Sequence, residues 1–196
     1  MEYKSTIKSR QYFFLETQKA SKLVLQGLSE KEIKQKAIIE NIFQVSSETR
    51  KKEIAAIVLK RLRELDEFLL RQLAQKSVDQ GKLIVIYAIM KNDRLFFEFM
   101  NEVFREKLII REQYIEEKDF NIFFERKKEQ SEKIAGWDDY TFYKIKQVYI
   151  RILFEAGLIK DQKARQIVKP LLDHSIVDHL VSIGEKTFAN IFLGLN

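Results

Sequence analysis

Cysteine is absent from the 196 residues, which excludes disulfides, thiol nucleophiles and cysteine-ligated zinc. Proline occurs once, as Pro170, and glycine six times. A chain built of sheets needs many tight turns, and turns draw on Gly and Pro. An all-β architecture is therefore excluded, and long stretches rich in Lys, Glu, Leu and Ile favour helices. Long apolar runs are missing too. The longest, residues 83–90, lies between Lys82 and Lys91, far short of the roughly 20 residues that span a bilayer. Residues 1–10 are polar and are followed only by a short apolar patch, unlike a secretory signal. A cytoplasmic chain with no membrane partner is expected.

Catalytic vocabulary is equally thin. There is no Gly-rich phosphate loop and no G-x-S-x-G elbow. The two histidines, His174 and His179, are five apart and point to different faces of a helix, a poor geometry for one ion. Glu98, Glu102 and Glu106 recur every four residues beside Arg105 and Lys107, a spacing that reads as surface charge. No catalytic residue, cofactor or metal ligand is expected, and the chain should act by binding.

What the chain does hold is apolar mass and positive charge. Hydrophobic residues make up 45%, with 15 Phe and 7 Tyr, and the net charge is +6. The charge is uneven. Residues 1–75 carry 15 Lys and Arg against 10 Asp and Glu, a net +5; residues 76–196 carry 20 against 19, a net +1. A localised positive field suits a polyanion, because phosphate contacts supply most non-specific affinity.

Helical spacing predicts a first helix from Gln11 to Gln26, stopped by Gly27. Ser29 with Glu32 reads as a capping box for a second helix, 30–39. Ser46 and Ser47, with Glu48 behind them, cap a long third helix over 47–74, with a core stripe of Ile54, Ile57, Val58, Leu62, Leu65, Phe68 and Leu69. Residues 80–90 and 95–108 read as one kinked helix or two, jointed at Asn92-Asp93, with a strand over 83–89 as the second choice. Asp119 caps a helix carrying Phe120, Phe123 and Phe124, and 127–133 reads as polar and mobile. Asp138 or Asp139 caps a helix over 140–156 that ends at Gly157. A last helix, 173–183, closes the chain.

The fold class is thus all-α: a compact helical bundle with a helix-turn-helix-like N-terminal unit, 1–75, a C-terminal bundle, 76–196, and at most a small β-hairpin near 159–168. In a helix-turn-helix the last helix enters the major groove by its N-terminal end. That end would present Ser47, Thr49, Arg50, Lys51 and Lys52, with Lys60 and Arg63 further along. Hydroxyls and amides suit phosphates, Arg suits guanine and Lys suits phosphate. A second basic stretch holds Thr141, Lys144, Lys146 and Arg151 on a helix, then Lys160, Lys163, Arg165 and Lys169. It reads as a winged element or as a surface connection.

Four segments carry a family resemblance. They are FFLETQKASKLVLQGLSEKEIKQKAIIENIF at 13–43, KRLREL at 60–65, FFEFMNEVFREKL at 96–108 and WDDYTFYKIKQVYIRILFEAGLI at 137–159. In order and spacing they resemble the BrxA family of BREX bacteriophage-resistance systems, over nearly the whole chain. The resemblance implies a compact helical protein with no enzymatic activity that binds double-stranded DNA through helix-turn-helix-like elements. It also implies a likeness to NusB-type bundles and a setting beside other BREX proteins. The leading expectation is a DNA-binding accessory protein of such a system. An RNA-binding bundle and a protein–protein adaptor among defence components are the rivals.

Overall fold

The computed structural model describes residues 2–9 and 12–196, without the side chains of residues 8 and 9. The described residues form helices and loops, and their only β-pairing is two isolated bridges. Cα proximity divides the chain into two compact units, Phe13–Asn92 and Met1–Tyr12 with Asp93–Asn196.

The first unit is built from five helices. The expected helix start at Gln11 lies outside the described residues. Helix α1 spans Phe14–Leu25. It ends where Leu28 N–H donates to Leu23 C=O and Gly27 takes φ 87°, a left-handed turn that a side chain would strain. Helix α2, Glu30–Ile39, starts at the expected capping box: Glu32 N–H donates to Ser29 Oγ and Ser29 N–H to Glu32 Oε2. Ser47 caps α3, Glu48–Leu62.

The long third helix is not continuous. After Leu62 the chain turns, and Asp66 Oδ1 accepts from Leu69 N–H to start α4, Glu67–Gln75. Asp66 competes for first-turn amides, which ends one helix and begins the next. Helix α5 is Val78–Asn92, so the strand alternative over 83–89 does not occur; residues 83–90 are all buried within a helix. Helix α5 packs on α1, α3 and α4. It therefore packs within the first unit, Phe13–Asn92. A Cβ on Gly81 would sit 3.0 Å from the Phe14 ring, so this glycine lets α1 and α5 approach closely.

In the second unit Asp93 caps α6, Arg94–Phe99, which continues through a π-helical turn, Met100–Phe104, into α7, Arg105–Ile109. Helix α8 is Glu117–Gln130. Asp119 is not its cap: Glu116 is, and Asp119 accepts from the Glu116 N–H from inside the first turn. A short α9, Glu132–Ala135, precedes α10, Asp139–Glu155, capped by Asp138 and stopped by Gly157 at φ 78°. The core is aromatic. Phe99 stacks on Phe120 at 5.0 Å and meets Tyr149 at 5.1 Å, and Phe96 meets Tyr149 edge-on at 5.0 Å.

The small hairpin forms. Ile159 bridges Ile167, Lys160 N–H donates to Gln166 C=O at 2.8 Å, and Gln166 also bridges Tyr114. Helix α11 is His174–Ser182. It is not the last: α12, Lys186–Leu193, follows and buries Phe188, Ala189, Ile191 and Phe192.

Candidate nucleic-acid interface

The N-terminal end of α3 is exposed, as the cap pattern implies, but its cations are engaged. Ser47 Oγ accepts from Arg50 N–H at 3.4 Å, and Thr49 faces solvent. The Arg50 guanidinium is 2.7 Å from Glu53 and lies 5.2 Å from the Phe13 ring centroid. Lys51 Nζ donates to Ile38 C=O at 3.3 Å, satisfying a carbonyl at the end of α2. Lys52 Nζ is 2.6 Å from Glu48. Lys60 is half-buried. Arg63 donates twice to the Glu30 carboxylate, at 2.6 and 2.5 Å, and this holds the Glu30 carboxyl below its usual range.

Two of these bonds fix how α2 and α3 pair. Lys51 at the start of α3 meets the end of α2, and Arg63 just beyond the end of α3 meets Glu30 at the start of α2. The two helices therefore lie side by side and antiparallel. The eight residues between them, 40–47, leave room for the chain to reverse, with Asn41 and Gln44 both at positive φ and Asn41 Oδ1 accepting from Val45 N–H.

Among the described residues of this unit, the exposed cations that make no ion pair within 4 Å lie elsewhere. They are Lys19 and Lys22 on α1 and Lys31 and Lys34 on α2. Within each helix the two are three apart and so share one face, turned away from the buried Ala20 of α1 and Ile33 of α2. The sequence held a signal for two of them, whereas Lys19 has Glu16 three residues before it and Lys34 has Glu30 four before it. Lys22 and Lys31 have no acid three or four residues away, whereas Arg50 has Glu53 and Lys52 has Glu48. Phe13–Asn92 carries 15 Lys and Arg against 10 Asp and Glu, a net +5, and these four lysines are its clearest unneutralised share.

In the second unit the basic stretch divides. Lys146 pairs with Glu117, and Arg165 donates to Ile115 C=O at 2.7 Å and lies 3.5 Å from Glu117. Thr141 is buried, Arg151 is loosely paired with Glu155 at 3.5 Å, and Lys160, Lys163 and Lys169 are exposed. Lys144 Nζ lies 5.2 Å from the Tyr140 ring centroid.

The expected solvated segment 127–133 is corrected at its first residue. Lys127 is buried, with Nζ 2.8 Å from Glu98 and 2.5 Å from Glu102. Glu98 is not surface charge. Burial pushes its carboxyl up, but hydrogen bonds from Lys127, Arg94 and Tyr3 outweigh this and hold it below the usual carboxylate range. His174 is exposed and His179 half-buried. Among the described residues no three His, Cys, Asp or Glu are grouped to hold a metal, and no helix is long and apolar enough to cross a membrane.

Comparison with known proteins gives concordant matches. The family model described as BrxA matches residues 1–184. The BREX protein BrxA of Bacillus cereus (strain H3081.97) is 56% identical over 193 residues, covering 98% of this chain and 96% of that protein. The BREX protein BrxA of Paramagnetospirillum magneticum (strain AMB-1) is 22% identical over 158 residues, covering 81% and 79%. Among solved structures, that of an uncharacterized protein from Magnetospirillum magneticum superposes with a TM-score of 0.82 over 98% of each chain at 21% identity, a likeness of fold.

Proposed function

Because the chain belongs to the BrxA family of BREX systems, we propose that it is a non-enzymatic accessory protein of such a system that binds double-stranded DNA through its first unit. One observation carries this reading: Lys19, Lys22, Lys31 and Lys34 stand exposed, without ion pairs, on a unit of net +5. Each is positioned on a helix and able to replace a counterion on a phosphate, which is the source of sequence-independent affinity. Readers of base edges are scarce there, so affinity should depend little on sequence. The first-turn amides of α3, with Ser47 and Thr49 beside them, offer a further phosphate partner.

A salt titration of duplex binding tests the proposal. Wild-type affinity should fall with a log–log slope of about −0.9 per phosphate contacted. Replacing Lys19, Lys22, Lys31 and Lys34 with Ala should flatten that slope by about one unit for each phosphate that is no longer neutralised. Replacing Arg50, Lys51 and Lys52 should flatten it less, since those side chains already serve Glu53, Ile38 and Glu48. A larger effect from the second set would return the DNA-facing surface to the N-terminal end of α3. Absence of any duplex binding at low salt would favour an adaptor that docks other BREX proteins.

A further inference from the structure

We infer that the outward face of α10 is a second nucleic-acid site, one that takes unpaired bases of a single strand. Tyr140, Tyr143 and Phe154 are 62%, 51% and 41% exposed, although each carries a ring that a core would accept. With Gln147 and Arg151 they recur at i, i+3, i+7, i+11 and i+14. At about 100° per residue these positions share one arc of roughly 80°. At about 1.5 Å per residue the rings span about 21 Å along one rigid 17-residue helix.

Charge selects the occupant. Residues 140–169 hold seven Lys and Arg and two acids, a net +5, while the rest of this unit holds 13 against 17, a net −4. Positive charge is therefore segregated onto the helix that presents the rings and onto the hairpin after it. Lys144 Nζ sits 5.2 Å from the Tyr140 centroid and 5.9 Å from that of Tyr143, so one cation serves two rings. Lys160 and Lys163 are exposed on the hairpin. The acids near this face are engaged or terminal. Glu155 pairs with Arg151, and Glu117 is held by Lys146 and Arg165. Asp161 accepts from two amides of the hairpin turn, and Asp139 sits at the helix start.

An apolar protein face laid over this stripe would strip water from Lys144 without supplying an anion. A single strand supplies both partners: phosphates for the cations and π-faces for the rings. A duplex does not, because its bases are already stacked and offer only their edges in the grooves. The site thus lies in a different unit from the duplex-binding lysines, reads a different form of nucleic acid, and stands or falls separately from them.

The test uses the full-length protein and a fluorescent oligothymidylate of about 15 nucleotides, within the footprint of known single-strand binders, read by anisotropy at about 50 mM salt. Wild type should bind it. Tyr140→Ala with Tyr143→Ala should weaken binding at least about tenfold, since two stacks are lost and each is worth about fivefold or more. Phe154→Ala should weaken it about fivefold on the same ground. Tyr140→Phe with Tyr143→Phe keeps the rings and should stay close to wild type. The Lys19, Lys22, Lys31 and Lys34 quadruple change should leave this binding in place. The inference is overturned if wild type does not bind the oligonucleotide, if the double Ala protein binds it as wild type does, or if that protein loses duplex binding in equal measure.

Discussion

Lys127 Nζ lies 2.8 Å from Glu98 Oε2, and the lysine side chain is 3% exposed. Around this pair Glu98 also accepts from Tyr3 Oη at 2.9 Å and from Arg94 Nε at 2.8 Å, and Arg94 stacks on the Tyr3 ring. Residues at the start of the chain, on α6 and on α8 are thus joined by one part-buried polar network. Its members are all hydrogen-bonded, which is the condition under which such a network stabilises a unique arrangement.

Removing Lys127 should leave Glu98 and Glu102 facing each other without their shared cation. Lys127→Met should lower stability in urea by about 3–5 kcal/mol, the usual cost of breaking a buried pair from one side. Glu129→Ala, two residues on and exposed, should stay within about 0.5 kcal/mol of wild type. Equal midpoints for the two variants would mean that the network contributes nothing.

The same network contributes at both edges of the pH range. The Glu98 carboxyl is held below its usual range in the fold, so its contribution is present above the unfolded value of about 4.3 and is lost as pH falls through the folded one. Tyr3 is pushed up to about 12 by burial and by its bond to Glu98. Its contribution is present below about 10 and disappears as pH rises towards 12. Thermal melts across pH should show Glu98→Gln losing part of the acid limb and Tyr3→Phe losing part of the alkaline limb. Superimposable profiles would contradict the assignment.

Two glycines separate conformational strain from crowding. Gly27 takes φ 87° with open space around its Cβ position, so Gly27→Ala should cost about 1–2 kcal/mol, the left-handed penalty alone. Gly194 takes φ 65°, and a Cβ there would lie 2.8 Å from Leu108 Cβ. Gly194→Ala adds a clash to the same penalty and should melt at a clearly lower temperature than Gly27→Ala. The reverse order would show that the chain around Gly194 gives way freely.

Asp66 makes the break between α3 and α4. Asp66→Ala removes the acceptor for Leu69 N–H and should cost about 1 kcal/mol, in the range measured for removed N-caps. Unchanged stability with added helical circular dichroism would mean that the two helices fuse once the cap is gone.

Much of the fold was legible because its signals are local. Ser29, Ser47 and Asp138 cap the helices that their sequence positions announce, and Gly27 and Gly157 end theirs. Elsewhere periodicity misled. The apolar stripe runs through Leu62, Leu65 and Leu69 without a gap, so only the Asp66 hydrogen bond reveals the turn. Helix α12 was missed because its eight residues make barely two turns, too few for a period to stand out. Its packing against α7 comes from a segment far away in the chain.

The sequence by itself determined an all-helical chain, its caps and stops, the positive excess and the family. These follow from neighbours within one helical turn, or from composition. Only the tertiary structure decided which charges remain available. Whether a lysine or arginine is engaged depends on what another segment brings beside it: Glu30 for Arg63, the Ile38 carbonyl for Lys51, Glu98 for Lys127. Electrostatic pairing acts across a few ångströms of space and is indifferent to separation along the chain. The cations at the start of α3 proved to be engaged, and the lysines at 19, 22, 31 and 34 were left without ion pairs.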